Sequence, residues 1–149
     1  EPGIGKEVED LIGELQKSRK NIWWIKEMAP HDDLTALLTN ADLFLCPSIY
    51  EPLGIVNLEA MGCETAVLAS RVGGIPEVVA DGETGRLVNF DANNSSKFES
   101  DFTNQIEELM SNPSLLTQMG KAGRIRAEKH FGWDAVAKQT INLYNSLLK

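Results

Sequence analysis

Apolar positions along this chain follow two alternating periods. Between about residues 7 and 19, Val8, Leu11, Ile12 and Leu15 fall at i, i+3, i+4 and i+7, which predicts a helix with one apolar face. Residues 22–25, IWWI, then form a run that is apolar throughout, as expected of a parallel strand covered by helices on both faces. Pro30 and the polar His31-Asp32-Asp33 open a second helix, about 33–39, with Leu34, Leu37 and Leu38 inward. LFLC at 43–46 reads as the next strand, stopped by Pro47. A helix is predicted over about 55–61, a strand over 66–69 (AVLA) and a short last strand over 86–88 (RLV). Gly73-Gly74-Ile75-Pro76-Glu77 is a loop running into a helical turn, and Asp81-Gly82 and Thr84-Gly85 are turn signals. After a polar loop at 91–96 the remainder is helical, about 98–110, 113–129 and 133–148, broken at Asn112-Pro113 and Gly132. Strand and helix alternate, so the predicted class is α/β with a parallel sheet. The strandless C-terminal third wraps that sheet or braces another domain.

Composition narrows the function. The 149 residues suffice for one core-bearing domain, and 42% hydrophobic with 24% charged content is that of a soluble globular protein. The net charge of −8 argues against a nucleic-acid partner, whose phosphates need a basic footprint, and against an anionic membrane surface. The apolar runs are too short to span a bilayer, and the first residues lack the features of a signal peptide. Cys46 and Cys63 lie in apolar surroundings without metal-ligand spacing, which predicts buried, reduced thiols and fits a cytoplasmic location.

The chemistry concentrates in residues 51–59, EPLGIVNLE, where a buried strand gives way to a helix. Open α/β sheets bind ligands at the carboxyl ends of their strands. Pro52 fixes its own φ, and Gly54 lets backbone approach a ligand without a side chain in the way. The unpaired amides that open the following helix, near Leu53 to Val56, favour an anion. Glu51 precedes that helix and Glu59 lies about one turn inside it. An ionised carboxylate only accepts hydrogen bonds, so a vicinal diol can donate two to it. Either glutamate alone reads as a solvated residue. Together, at a strand-to-helix junction, they describe a nucleotide-sugar site: one carboxylate for a sugar, one for a ribose, amides for the phosphate between.

SIYEPLGIVNLEAM, followed by TAVLAS and VGGIPEVV, resembles the C-terminal domain of family 4, or group 1, retaining glycosyltransferases, and within them is most similar to bacterial glycogen synthases. Glu51 and Glu59 match the family's pair of glutamates separated by seven residues. Gly73, Gly74, Pro76, Glu77, Asp81, Gly82, Thr84 and Gly85 match its downstream elements. The resemblance covers essentially the whole chain. It implies a Rossmann-like half of a GT-B fold, in which two such domains face each other across a cleft, with residues 1–149 as part of the donor-binding half. It further implies that Glu51 is catalytic, facing the transferred sugar, and that backbone of Leu53, Gly54 and Ile55 holds the sugar 4-hydroxyl and the distal phosphate. Glu59 should accept from the ribose, Gly73 and Gly74 should line the pyrophosphate side, and Glu27 and Met28 should border the base. The implied partners are ADP- or UDP-glucose, an α-glucan acceptor and an N-terminal domain of the same polypeptide. No metal or other cofactor is expected.

The family's Arg and Lys, which clamp the diphosphate just after the domain's first strand, have no counterpart here. A fragment without its first two, central strands is therefore expected, inactive alone and prone to associate through exposed strand edges. Either an unseen segment or a second chain fills the gap between residues 22–25 and the other strands, or the sheet closes in a rearranged order. Trp23 and Trp24 read as core residues and His31 as a solvated turn residue. Lys121, Arg124, Arg126 and Lys129 read as a solvated helix face, His130 as a helix C-terminal charge, and Phe131 and Trp133 as anchors between the last helices. The rival readings are a glycoside hydrolase using the two glutamates as acid and base, a non-catalytic binding module, and a family member with a mannosyl or N-acetylglucosaminyl donor.

Overall fold

The strand-forming runs at 43–46, 66–69 and 86–88 assemble into one parallel sheet. In a computed structural model, which describes residues 4–148, they are β1 (Leu43–Cys46), β2 (Ala66–Ser70) and β3 (Gly85–Val88), hydrogen-bonded in the order β1-β2-β3. Phe44 lies opposite Val67 and Leu68 opposite Arg86. Each parallel crossover carries a helix, α3 (Ile55–Gly62) after β1 and α4 (Ile75–Val78) after β2. The α/β class is that read from the sequence.

The chain divides into two compact units, Glu1–His31 and Asp32–Lys149. The sheet belongs to the second. All five residues of the central strand β2 are buried, and their alternation splits the core in two. Val67 and Ala69 face a cluster with Met61, Ile75, Val78 and Leu38 from α2 (His31–Thr39). Ala66 and Leu68 face a cluster with Phe98, Phe102 and Leu109 from α5 (Ser95–Met110) and Leu116 and Met119 from α6 (Pro113–Arg126). Phe90 meets Phe98 edge-on at 5.3 Å between ring centroids. Side-chain caps fix both helix starts. Asn94 accepts from the Lys97 amide at 3.3 Å, and Asn112, before Pro113, accepts from the Leu115 amide at 3.1 Å. The Asn94 cap starts α5 three residues before the position that apolar spacing marks.

The predicted helix 113–129 departs from α geometry at its end. It widens into a π-helical turn, Ala127–Phe131, before Gly132 extends and α7 (Trp133–Leu147) begins. Phe131 packs on the first cluster, as an anchor should. Trp133 does not: it is 89% exposed, and α7 buries no residue. Cys46 is buried as expected, whereas Cys63, at the open end of α3, is only half-buried; both are free thiols.

In the first unit, α1 (Ile4–Ser18) realises the predicted helix. Residues 22–25 form no strand, and Trp23 (79% exposed) and Trp24 (41%) are not core residues. A four-residue apolar run becomes a strand only with a ladder partner and covering layers. Here its own unit supplies instead a bond from Gln16 Nε2 to the Ile22 carbonyl at 3.0 Å and a Lys26–Glu9 ion pair. The sheet does not close in a rearranged order, and among the described residues the outer edge of β1 has no ladder partner. No helix among the described residues is long and apolar enough to cross a membrane.

Candidate functional site

Residues 47–54 cross the carboxyl end of the sheet, between Pro47, which ends β1, and α3. Ser70, the buried last residue of β2, anchors them there, its hydroxyl donating to the Ser48 carbonyl. The loop at 71–74 supports the next stretch. Gly74 N–H donates to the Glu51 carbonyl at 3.1 Å. Gly73 has φ 50°, and a Cβ on it would stand 1.9 Å from that same carbonyl oxygen; a Cβ on Gly74 would stand 2.3 Å from the Pro52 carbonyl oxygen. Two successive glycines are therefore what lets the second loop press flat on the first. Their bare Cα faces meet the backbone of Glu51 and Pro52.

Gly54 is the N-cap of α3, with φ 90° and ψ 54°. Its left-handed geometry suits glycine, and a Cβ would meet Asn57 Nδ2 at 2.5 Å. The Gly54 N–H donates to Glu51 Oε1 at 3.1 Å, so the Glu51 carboxylate folds over the start of the helix. Asn57 N–H donates to the Gly54 carbonyl at 2.9 Å. Among the described residues, the amides of Leu53, Ile55 and Val56 have no hydrogen-bond partner, and these three residues are exposed. They are the orphan donors that a helix N-terminus offers an anion. Glu59 follows one turn later, half-buried and with its carboxylate unpaired among the described residues.

The second unit thus brings Glu51, Leu53, Gly54, Ile55, Glu59, Gly73 and Gly74 to one strand-to-helix junction. Met28 belongs to the first unit, where it is 98% exposed. The Asp81-Gly82 and Thr84-Gly85 motifs build a turn: Asp81 pairs with Arg71 and accepts from Leu87 N–H at 3.0 Å, and Thr84 Oγ1 accepts from Ala80 N–H at 3.0 Å. A polar depression along β3 and α5, lined by Arg86, Lys97, Asp101 and Glu108, includes neither Glu51 nor Glu59. No group of three or more His, Cys, Asp or Glu among the described residues is arranged to hold a metal ion.

Two residues of this region escape a sequence reading. Asn57 is fully buried with both side-chain polar atoms unpartnered, a costly arrangement for an amide. Its only sequence signal is a polar residue at the third position after a glycine N-cap. Arg126 is not on a solvated face: it donates to the carbonyls of Val78 and Glu77. Arg124 is exposed, as expected of a solvated face; it donates to the Gly62 carbonyl at 2.6 Å, and its hydrogen bond to Glu128, with the attraction between their charges, raises its pKa above the ordinary arginine value. Lys121 and Lys129 are exposed as expected, and His130, within the turn Ala127–Phe131, is exposed too.

A parallel sheet with a helix in each crossover, and at its carboxyl end a strand-to-helix junction with unpaired amides between two carboxylates, is an α/β architecture of the GT-B kind. The family model for glycosyl transferases group 1 matches residues 3–126, and the chain belongs to that family. It is 45% identical over 146 residues to an alpha-maltose-1-phosphate synthase of Mycolicibacterium smegmatis, covering 98% of this chain and 38% of that protein. It superposes with a TM-score of 0.76, at 34% identity, on a sucrose-phosphate synthase from Thermosynechococcus elongatus, covering 96% of this chain and 34% of that one. A structure of Anabaena HepE in complex with UDP matches at 25% identity and TM-score 0.58 over 74% of this chain and 29% of that one. The chain spans 38% of the length of its mycobacterial relative. These relatives support a group 1 glycosyltransferase; they do not single out glycogen synthase.

Proposed function

We propose that this chain is the donor-binding part of a retaining hexosyltransferase that takes glucose from ADP- or UDP-glucose and passes it to an α-glucan. The observation that carries the reading is the junction at 51–59, with unpaired amides at Leu53, Ile55 and Val56 between two half-buried carboxylates. The UDP complex of HepE supports a nucleotide donor.

Binding would proceed by exchange. The Glu51 carboxylate, now on Gly54 N–H, would accept from the sugar hydroxyls, and the freed amide would join those of Ile55 and Val56 on the distal phosphate. Those donors lie where negative charge grows as the diphosphate departs, so they stabilise the transition state more than the ground state. Glu51, beside the transferred sugar, would offset the positive charge developing on its ring. Glu59 would hold the ribose diol, and Gly73 and Gly74 would support the loop on the pyrophosphate side. The amides alone leave much of the diphosphate charge uncompensated, so the 149 residues by themselves have no turnover.

A second reading concerns the acceptor. The 45% identity to an alpha-maltose-1-phosphate synthase favours a small phosphorylated sugar over a polymer. Labelled ADP-glucose and UDP-glucose, each offered to the intact polypeptide with glycogen or with glucose 1-phosphate, separate the two. Label in polymer supports the glucan acceptor, and label in a phosphorylated disaccharide supports the second. Transfer from neither glucosyl donor, with transfer from a GDP-mannose or UDP-N-acetylglucosamine control, contradicts both.

A further inference from the structure

We propose that Arg126 is a positioning residue for the donor loop, acting through α4. The proposal rests on the reading of residues 51–59 as a donor site. Arg126 ends α6, some seventy residues beyond that loop in sequence. Its Nε donates to the Val78 carbonyl at 2.8 Å and its Nη2 to the Glu77 carbonyl at 2.9 Å. These are the last carbonyls of α4, a helix of four residues, too short to satisfy them itself. A planar, permanently charged fork suits two adjacent acceptors at a helix C-terminus.

The other end of α4 meets the site. Its N-cap, Gly74, donates to the Glu51 carbonyl, and fully buried Ile75 stands 3.4 Å from the position of a Cβ on Gly54. The short helix is thus a strut between Arg126 and the loop that carries Glu51. Behind Arg126, the ring of Phe131 lies with its centroid 5.9 Å from the guanidinium carbon. Residues five apart stack where helical bonding has widened to i→i+5, and the π turn Ala127–Phe131 supplies that widening. The departure from α geometry therefore seats Phe131 against both Arg126 and the core cluster that contains Met61 and Val78.

Arg124 is a matched comparison. It clamps the C-terminal carbonyl of α3, at Gly62, and pairs with Glu128, but bonds nothing in α4 or the donor loop. Arg126→Ala, Arg126→Lys and Arg124→Ala should be compared in the intact polypeptide by amide hydrogen exchange and by calorimetric titration with ADP-glucose and UDP-glucose. Arg126→Ala should speed exchange at Gly74 and Val79 about ten-fold and weaken donor binding about ten-fold, the loss expected for charged hydrogen bonds. Arg126→Lys, which keeps the charge without the fork, should recover part of both. Arg124→Ala should lower thermal stability yet leave both readouts near wild type. The proposal is overturned if Arg126→Ala changes neither readout, or changes them no more than Arg124→Ala does. Wild-type protein that binds neither donor would instead overturn the donor-site reading, and the exchange comparison would still decide whether Arg126 braces the loop.

Discussion

At the residue scale, the site is a set of close backbone approaches that only glycine permits. Gly73→Ala places a methyl 1.9 Å from the Glu51 carbonyl oxygen at a positive φ, so one loop must move. It should cost about 3 kcal/mol, combining overpacking with backbone strain. Gly13→Ala is the opposite case: nothing lies within 4 Å of its added methyl, inside α1. It should stabilise α1 by about 0.5–1 kcal/mol. Urea unfolding, with circular dichroism of helix content for the α1 change, measures both; a harmless Gly73→Ala would contradict the loop contact. Sequence makes the glutamate pair and glycines legible because spacing and residue type carry them. It does not show that Gly54 N–H is bonded to Glu51, because that depends on a side-chain rotamer. Nor does it show Arg126 against α4, because that contact joins residues nearly fifty positions apart.

At the element scale, strands β1, β2 and β3 were readable because each is a short apolar run with a turn on both sides. Residues 22–25 carry the same local signal and form no strand. The difference is the partner: β1 has β2 beside it, and the IWWI run has no ladder. Local sequence reports the tendency of a segment, while pairing is decided by what lies next to it. Likewise, the periodicity of 113–129 does not distinguish an α-helix from one that widens to a π turn over its last residues. The placement of Trp23, Trp24 and Trp133, 79%, 41% and 89% exposed, has a direct optical consequence. Tryptophan emission of the 149-residue chain should lie near its solvent-exposed limit and be strongly quenched by acrylamide. Blue-shifted, protected emission would mean that these side chains are buried.

At the scale of the whole molecule, the chain spans 38% of the length of its mycobacterial relative, and its second unit carries the junction proposed as the donor site. In the proposed reading, the amides and carboxylates of that junction take sugar, phosphate and ribose, with Glu51 at the reacting end and Glu59 at the nucleotide end. That division of labour separates binding from turnover. Glu59→Ala removes ribose contacts made equally in ground and transition states, so donor KM should rise about ten-fold or more with kcat little changed. Glu51→Ala removes a group beside the developing charge, so kcat should fall about a hundred-fold or more. The measurement that tests the central claim most directly is steady-state kinetics of these two variants in the intact polypeptide, with the glucosyl donor varied. The account predicts a KM effect for Glu59→Ala and a kcat effect for Glu51→Ala. Wild-type kinetics for both would contradict it.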